Sequence, residues 1–297
     1  MGQTVGMGQT VGMGQTVGAV LDQVTSDLQR SGISGARNEA EILLGHLLKL
    51  RRSDLYAGLE QPVTMAQAAE LDKMVASRCA GRPLQYITGV QAFRRLALKV
   101  GPGVLVPRPE TEMLVERCLE LLSGVADPRV VDLGTGSGAI ALSLATERPD
   151  CRVWATEISE DALWWAETNL KRSGLTNVEL GYGDLFSPLP APEKGNFDLV
   201  VSNPPYLSQE ELAKAPPEVR DHEPEMALLS GDKGLATCIR IIQEAFVWLK
   251  SGGNLVLETA GISQYEDLRI FLARRYDGVQ ITNDLTGTAR FVEGRRP

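Results

Sequence analysis

The chain has 297 residues, of which 43% are hydrophobic and 23% are charged, and its formal net charge is −8. This length predicts two domains, or one large domain with an appendage, and the acidic balance argues against broad nucleic-acid binding. No apolar run reaches the roughly 18 residues of a membrane span, and two histidines, His46 and His222, are too few to favour a metal site. The four cysteines are far apart and form no Cys-x-x-Cys pair, which predicts free thiols in the reducing cytoplasm.

The chain opens with a repeat. Residues 1–18 are three copies of the unit Met-Gly-Gln-Thr-Val-Gly. Two glycines in each unit leave little apolar surface to bury, so the sequence predicts disorder over residues 1–18. The repeat has neither the apolar core of a signal peptide nor the Arg and Ser of a transit peptide, and we assign it no function.

A helical pattern starts near Ala19 and predicts a small helical domain over residues 19–85. Its second helix is predicted over Asn38–Leu50, with four side chains turned inward: Ile42, Leu43, Leu47 and Leu50. The third helix opens with a capping-box spelling, Thr64 to Gln67, and runs to Cys79. These helices carry no spaced catalytic groups, so the domain is predicted to recognise a partner.

A strand or hairpin is predicted next, because Leu96, Leu98 and Val100 alternate with Ala97 and Lys99, and residues 86–109 are interpreted as a hairpin linker. The stretch Pro107-Arg-Pro-Glu-Thr-Glu112 then leads into an apolar helix. Pro109 and the acids that follow it fit the rules for helix entry. Physics alone leaves open whether this entry walls an active site or only starts a helix.

Residues 110–297 alternate between apolar strands and amphipathic helices, which predicts an α/β domain with a mostly parallel, Rossmann-like sheet covered on both faces. Its last two strands are predicted as an antiparallel hairpin. The predicted strands are Val130–Leu133, Val153–Glu157, Val178–Leu180, Phe197–Ser202, Asn254–Glu258, Val279–Thr282 and Ala289–Val292. The predicted helices are Ala139–Arg148, Asp161–Arg172, Ala236–Lys250 and Tyr265–Tyr276.

A glycine loop between the first strand and its helix predicts close approach of a ligand to the backbone. The loop residues are Gly134, Thr135, Gly136, Ser137 and Gly138. Glu157, at the end of the second strand, is placed to accept the ribose hydroxyls of a nucleotide. Asp132 is a candidate partner for a cationic amino group, and Asp184 for an adenine amino group with Leu185 or Phe186 against the ring. The loop and Glu157 fit NAD as well as S-adenosylmethionine, and acids at three consecutive strand ends favour a nucleoside ligand.

The stretch Asn203-Pro-Pro-Tyr206 follows the buried strand Phe197–Ser202. Its two prolines make a stiff backbone that offers carbonyl acceptors and few donors. The Asn203 side-chain oxygen and the Pro204 carbonyl suit the two N–H groups of a planar NH₂, and the Tyr206 ring suits its face. By itself a Pro-Pro-Tyr stretch is more often a turn that ends a strand, and the glycine loop upstream favours the ligand interpretation.

Together these motifs resemble the release factor glutamine methyltransferases (the PrmC/HemK family) of the class I S-adenosylmethionine methyltransferases. The resemblance is carried by Asp132 to Gly138, Asn203 to Tyr206, Pro107 to Glu112, Arg82 to Gly89 and the N-terminal helices, and it covers residues 20 to 295. It implies S-adenosylmethionine as cofactor, bound by Asp132, the glycine loop, Glu157, Asp184, Leu185, Phe186 and Asn203. It also implies methylation of the glutamine amide in the Gly-Gly-Gln motif of class 1 peptide chain release factors.

The resemblance assigns catalysis to Asn203, Pro204 and Tyr206, and substrate binding to these residues together with Pro205. A monomer without nucleic-acid or membrane partners and without a metal is expected. Glu157 stands where the family often has Asp, and Leu185 where it often has an aromatic residue. Three other functions stay open at this point: a glutamine methyltransferase of a ribosomal protein, an adenine N6-methyltransferase acting on nucleic acid, and a non-catalytic nucleoside-binding protein.

Overall fold

The computed structural model describes residues 15–231 and 233–297, except for the side chains of residues 262 and 263. These residues divide between Thr88 and Gly89 into two compact units. None of the helices in the described ranges is long and apolar enough to cross a membrane. Residues 1–14 of the predicted disordered repeat lie outside those ranges.

The N-terminal unit consists of helices around a core of aliphatic side chains. The helices are α1 (Val17–Arg30), α2 (Ala36–Leu48), α3 (Arg52–Ala57), α4 (Met65–Cys79) and α5 (Leu84–Thr88). Helix α1 begins earlier than the predicted Ala19, because the Thr16 hydroxyl accepts a hydrogen bond from the Ala19 amide and Val17 is buried in the core. The last residues of the predicted disordered repeat are therefore ordered.

Helices α2 and α4 show what the sequence pattern could and could not resolve. The capping box predicted at Thr64 and Gln67 is present at the start of α4. In α2 the inward face was predicted wrongly in one place, since Ile42 is 40% exposed while Leu43 and Leu44 are fully buried. Contacts with both α1 and α4 decide which side of α2 is covered, and a single-helix pattern does not contain them.

The second unit begins with a two-stranded antiparallel hairpin, β1 (Val90–Phe93) and β2 (Leu96–Lys99). Its main sheet is formed by β3 (Arg129–Leu133), β4 (Arg152–Glu157), β5 (Val178–Tyr182), β6 (Phe197–Ser202), β7 (Leu249–Glu258), β8 (Asp277–Asn283) and β9 (Ala289–Arg295). Its helices are α6 (Pro109–Leu121), α7 (Ala139–Glu147), α8 (Glu160–Ser173), α9 (Gln209–Lys214), α10 (Pro217–Arg220), α11 (Ala236–Trp248) and α12 (Ile262–Leu272).

The sheet has the strand order β5-β4-β3-β6-β7-β9-β8, with β3 to β7 parallel and β9 antiparallel to both of its neighbours. Successive residues of β6 alternate between two apolar clusters, Leu199 and Val201 in one and Val200 in the other, so both faces are covered. The predicted fold class, with its antiparallel C-terminal hairpin, is confirmed.

The chain order reverses between β3 and β6, which pair in parallel so that Leu133 lies opposite Ser202. In an open α/β sheet this switch point leaves a crevice at the carboxyl ends of the strands, where ligands bind. The sheet therefore places the glycine loop after Leu133 beside the Asn203 stretch after Ser202.

Strand β7 starts at Leu249, so the helix predicted to reach Lys250 ends earlier, at Trp248. Leu249 pairs with Phe197 but Asn254 already pairs with Leu199, which is a bulge in β7. Gly253 lies in this bulge, where a Cβ atom would stand 2.8 Å from the Phe197 carbonyl oxygen. The absence of a side chain at Gly253 lets the strand pass close to β6, which explains why the strand begins before the predicted Asn254.

Candidate active site

A cavity of about 480 Å³ lies at the carboxyl ends of β3, β4, β5 and β6. Most of the site residues predicted from the sequence line it: Gly134, Thr135, Gly136, Ser137, Glu157, Asp184, Leu185, Asn203, Pro204 and Pro205. The other predicted site residues do not line it: Asp132, Gly138, Phe186 and Tyr206. The fold thus brings both motifs to one crevice.

The glycine loop forms the part of the cavity nearest to β3. Gly134, Gly136 and Gly138 all have positive φ, at 66°, 59° and 85°. Residues with a Cβ atom adopt this conformation at a cost of roughly 1–2 kcal/mol, so glycine is required for the turn at each of these positions. The loop thereby exposes its backbone to the cavity, as a bound nucleotide requires.

Glu157 connects the second strand to the glycine loop. Its Oε2 atom accepts a hydrogen bond from the Gly136 amide at 2.8 Å, and its Oε1 atom accepts from the amides of Ile158 and Ser159 at 2.9 Å each. A carboxylate has about four acceptor positions, so one remains for a ligand hydroxyl. Glu157 therefore shapes the loop in addition to the ribose contact predicted for it.

Asp132 is fully buried and forms hydrogen bonds to the glycine loop and to the helix that follows it. Its Oδ2 atom accepts hydrogen bonds from the Thr135 hydroxyl at 2.6 Å and from the Ala141 amide at 3.1 Å. Burial raises the pKa of Asp132 to about 7, although these two hydrogen bonds act in the opposite direction. Its Oδ1 atom accepts no hydrogen bond from any described residue, which leaves one acceptor for an ammonium group or a bridging water.

Asp184 stands at the far end of the cavity and forms an ion pair with Arg240 of α11 at 2.7 Å. Both side chains are about half exposed and both residues line the cavity. The next residue, Leu185, also lines the cavity and has a φ of 46°. A leucine in this left-handed conformation is a local strain of order 1–3 kcal/mol, and such strain is concentrated at ligand sites.

Phe186 points away from the cavity, which corrects its predicted contact with an adenine ring. The side chain is 3% exposed and stacks on Trp248 with ring centroids 5.6 Å apart and planes 11° from parallel. The left-handed turn at Leu185 explains the difference, because it directs consecutive side chains to the cavity and to the core.

Phe186→Ala should therefore destabilise the fold by about 3–5 kcal/mol, as for other buried phenylalanines. The affinity of the folded variant for S-adenosylmethionine should stay within about twofold of wild type, since no wall of the cavity is lost. The matched variant Leu185→Ala should show the opposite pattern, with weaker affinity and a smaller loss of stability. Thermal unfolding and calorimetric titration measure the two effects, and an affinity loss confined to Phe186→Ala would contradict this assignment.

Asn203 and Pro204 present two acceptors at the end of β6. The Asn203 side-chain nitrogen donates to the Thr111 hydroxyl at 3.1 Å, which leaves its Oδ1 atom free. Within the described ranges no residue donates to Asn203 Oδ1 or to the Pro204 carbonyl. The two unused acceptors beside the cavity match the acceptor pair expected from the sequence.

Tyr206 is half-buried, and its hydroxyl donates to Glu258 at 3.4 Å. Burial and the nearby Glu258 carboxylate raise the pKa of Tyr206 above its usual range. Stacking of its ring on a substrate amide stays a prediction. Its backbone carbonyl accepts a hydrogen bond from Gln264 at 2.6 Å, which holds the end of the motif in place.

The segment after the motif covers one side of the cavity. The Leu207 amide donates to the Leu228 carbonyl at 2.8 Å, and the Ser230 amide donates to the Leu207 carbonyl at 3.0 Å. These two hydrogen bonds join the ends of the intervening segment. A buried Glu223 carboxylate in this segment pairs with Arg108 at the entry of α6 at 2.7 Å. Met226 lines the cavity and is 62% exposed. This segment was not assigned to the site from the sequence.

Three further residues of the site, Thr111, Glu258 and Arg240, are not among those predicted from the sequence. Thr111 lines the cavity and bonds both Asn203 and Glu258. Glu258 is an acid at the end of a predicted strand, as are Asp132, Glu157 and Asp184. The same sequence pattern therefore indicates Glu258 as a site residue. Arg240 carries no such signal, because it is one charged residue on an amphipathic helix.

The sheet order, the glycine loop and the cavity at the switch point define the class as Rossmann-like methyltransferases. The fold is that of the T. thermophilus 16S rRNA methyltransferase RsmC, with a TM-score of 0.53 at 20% identity over 70% of this chain and 50% of that chain. Family models for the methyltransferase small domain and the PrmC N-terminal domain match residues 109–216 and 19–89.

Relatives along nearly the whole chain identify the particular family. A release factor glutamine methyltransferase of Streptomyces coelicolor is 40% identical over 281 residues, which are 94% of this chain and 97% of the relative. The release factor glutamine methyltransferase of Escherichia coli is 38% identical over 277 residues, which are 93% and 97% of the two chains. The chain belongs to the family of release factor glutamine methyltransferases.

Proposed function

We propose that this protein methylates the side-chain amide nitrogen of the glutamine in the Gly-Gly-Gln motif of class 1 peptide chain release factors, with S-adenosylmethionine as methyl donor. The observation that carries the chemistry is the pair of unused acceptors, Asn203 Oδ1 and the Pro204 carbonyl, beside a cavity with a glycine loop. The choice of a release factor as substrate is supported by the names of the relatives.

The residues around the cavity fit S-adenosylmethionine. Glu157 retains acceptor capacity for a ribose hydroxyl. Asp132 is buried behind the glycine loop and does not line the cavity, so its unpartnered Oδ1 would meet the cationic amino group through a bridging water. Asp184 and Leu185 line the same cavity, where they would supply an acceptor and an apolar contact to an adenine ring. When bound, the cofactor supplies an electrophilic methyl group.

The chain itself positions a poor nucleophile. An amide nitrogen is weak because its lone pair is delocalised into the carbonyl. Asn203 Oδ1 and the Pro204 carbonyl would each accept a hydrogen bond from one N–H of the substrate amide. These bonds would raise the electron density on the nitrogen and orient it toward the methyl group. No base is needed before attack, because the nitrogen becomes strongly acidic once methylated and then releases its proton to water through the same acceptors.

Partner recognition is assigned to the N-terminal helical unit, whose match to the PrmC N-terminal domain supports this role. The net charge of −8 speaks against adenine N6-methylation of nucleic acid, which would need a basic groove. The free cysteines support a cytoplasmic location.

Label transfer from S-adenosylmethionine to a purified class 1 release factor tests this function. We expect label on the wild-type factor and none on a Gln→Ala variant of its Gly-Gly-Gln motif, because that variant lacks the only amide presented there. Label on both proteins, or on neither, would refute the assignment. A parallel reaction with purified ribosomal proteins tests the alternative substrate. Label on a ribosomal protein and none on the release factor would show that the ribosomal protein is the substrate.

A further inference from the structure

A chain of hydrogen bonds connects Asn203 to a buried carboxylate. The Asn203 side-chain nitrogen donates to Thr111 Oγ1 at 3.1 Å, and the Thr111 hydroxyl donates to Glu258 Oε2 at 2.8 Å. The Tyr206 hydroxyl lies 3.4 Å from the other oxygen, Glu258 Oε1. The links come from different elements: α6, the segment after β6, and the end of β7.

The chemistry of these groups fixes the direction of the chain. An ionised carboxylate only accepts hydrogen bonds, and a threonine hydroxyl has a single hydrogen to donate. Once Thr111 donates to Glu258, its oxygen can only accept from Asn203. The Asn203 amide must then turn its NH₂ group toward Thr111 and its oxygen toward the cavity.

We propose that Thr111 and Glu258 are positioning residues that hold the Asn203 side-chain oxygen toward the substrate amide. The inference rests on the proposed function and adds the groups that make its acceptor available. With the amide turned over, Asn203 would present an NH₂ group to the substrate NH₂, and neither can accept from the other. Thr111 acts through Asn203, and Glu258 acts through Thr111 and through its contact with the Tyr206 hydroxyl.

The surroundings of Glu258 support a role other than stability. Its side chain is 1% exposed and forms no ion pair within the described parts of the chain. The facing cation is Arg290 of β9, which is engaged with Asp284 at 3.2 Å, and Glu110 of α6 adds negative charge. A buried carboxylate held by hydroxyl groups costs free energy of folding, and a glutamine of the same shape would cost less.

Protonation of Glu258 would remove the directional constraint. Burial raises the pKa of this carboxyl to about 7, with Thr111, Arg290 and Tyr206 acting against the rise and Glu110 adding to it. The protonated carboxyl can donate to Thr111, and Thr111 can then donate to a reversed Asn203 amide. At saturating S-adenosylmethionine, kcat should therefore fall as the pH drops through about 7 and rise to a plateau above it. Burial also raises the pKa of Asp132 to about 7, but its titration should act on the affinity for the cofactor and not on kcat at saturation.

The experiment compares Thr111→Val, Thr111→Ser and Glu258→Gln in the full-length enzyme, with a purified class 1 release factor and S-adenosylmethionine as substrates. Thr111→Val keeps the shape and removes the hydroxyl, so kcat should fall about 10- to 100-fold, the scale of a misplaced reacting group. Thr111→Ser should restore kcat to within a fewfold of wild type. Thr146→Val is the matched control, since the Thr146 hydroxyl bonds only the Leu142 carbonyl in α7.

Two readouts separate positioning from folding. The raised pKa of the Glu258 carboxyl means that the folded protein favours its protonated form. The stabilisation from that proton is lost as the pH rises through about 7. Glu258→Gln should therefore be at least as stable as wild type at pH 8. Its kcat should nevertheless be about tenfold lower and its acid limb flattened, because a glutamine amide no longer dictates the direction of the Thr111 bond.

The outcomes distinguish this inference from the proposed function. A wild-type enzyme that leaves the release factor unlabelled overturns both. Labelling by wild type together with an unchanged kcat in Thr111→Val, or with an unchanged acid limb in Glu258→Gln, overturns the positioning role alone. A loss of kcat that follows a loss of melting temperature and is not restored by Thr111→Ser also overturns it.

Discussion

Replacing Asn203 by alanine is expected to lower turnover by about 10²- to 10³-fold while the protein still binds S-adenosylmethionine. The magnitude is that of deleting one preorganised polar contact at a reacting centre, about 2.7–4 kcal/mol of barrier. The loss falls on kcat because the Asn203 oxygen acts on the nucleophile as it attacks, whereas the cofactor has several other partners around the cavity.

The comparison for this variant is Asn203→Asp, which keeps the size and an oxygen acceptor. It replaces the NH₂ group by a second oxygen and so cannot donate to Thr111. It should also be impaired, because a carboxylate beside the Thr111–Glu258 chain has no hydrogen to offer the Thr111 oxygen. Single-turnover kinetics and calorimetric titration measure the two quantities. Turnover of Asn203→Ala equal to wild type would contradict the assigned role.

Replacing Glu157 by alanine should give the complementary result, a dissociation constant for S-adenosylmethionine raised about 100-fold with kcat at saturation changed little. Two causes combine: the loss of a charged acceptor for the ribose, about 1.5–3 kcal/mol, and the loss of the bond that holds the Gly136 amide. Both act equally on ground state and transition state, so the effect falls on binding.

Glu157→Asp is the matched control, since it keeps the carboxylate and shortens the side chain by one methylene. It should retain most of the affinity if a carboxylate at the end of β4 is what the ligand needs. Equilibrium titration followed by initial rates at saturating cofactor separates the two variants. A normal dissociation constant for Glu157→Ala would remove Glu157 from the cofactor site.

The fold of the second unit was predictable because its buried strands are short apolar runs. Strand β6 was predicted with its observed bounds, Phe197–Ser202, since every residue in it is buried. The start of β7 was not predictable, because its bulge depends on how close Gly253 comes to the Phe197 carbonyl. That closeness is a tertiary contact between elements far apart in the chain.

The site shows the same division between local and distant information. The acceptors at Asn203 and Pro204 follow from local chemistry, since the prolines and the strand end determine them. The orientation of Asn203 depends on Thr111 and Glu258, which are 147 positions apart, and no local pattern joins them. Phe186 was misassigned for a related reason, because the turn at Leu185 determines which neighbour faces the cavity.

The central claim is that the amide nitrogen of one glutamine receives the methyl group from this enzyme. Fragmentation mass spectrometry of the release factor after reaction with wild-type enzyme and S-adenosylmethionine tests it most directly. We predict one added methyl group, on the side-chain nitrogen of the Gly-Gly-Gln glutamine, and about 10²- to 10³-fold slower modification of the factor by Asn203→Ala under the same conditions. A methyl group on another residue, or equal modification by the two enzymes, would contradict the account.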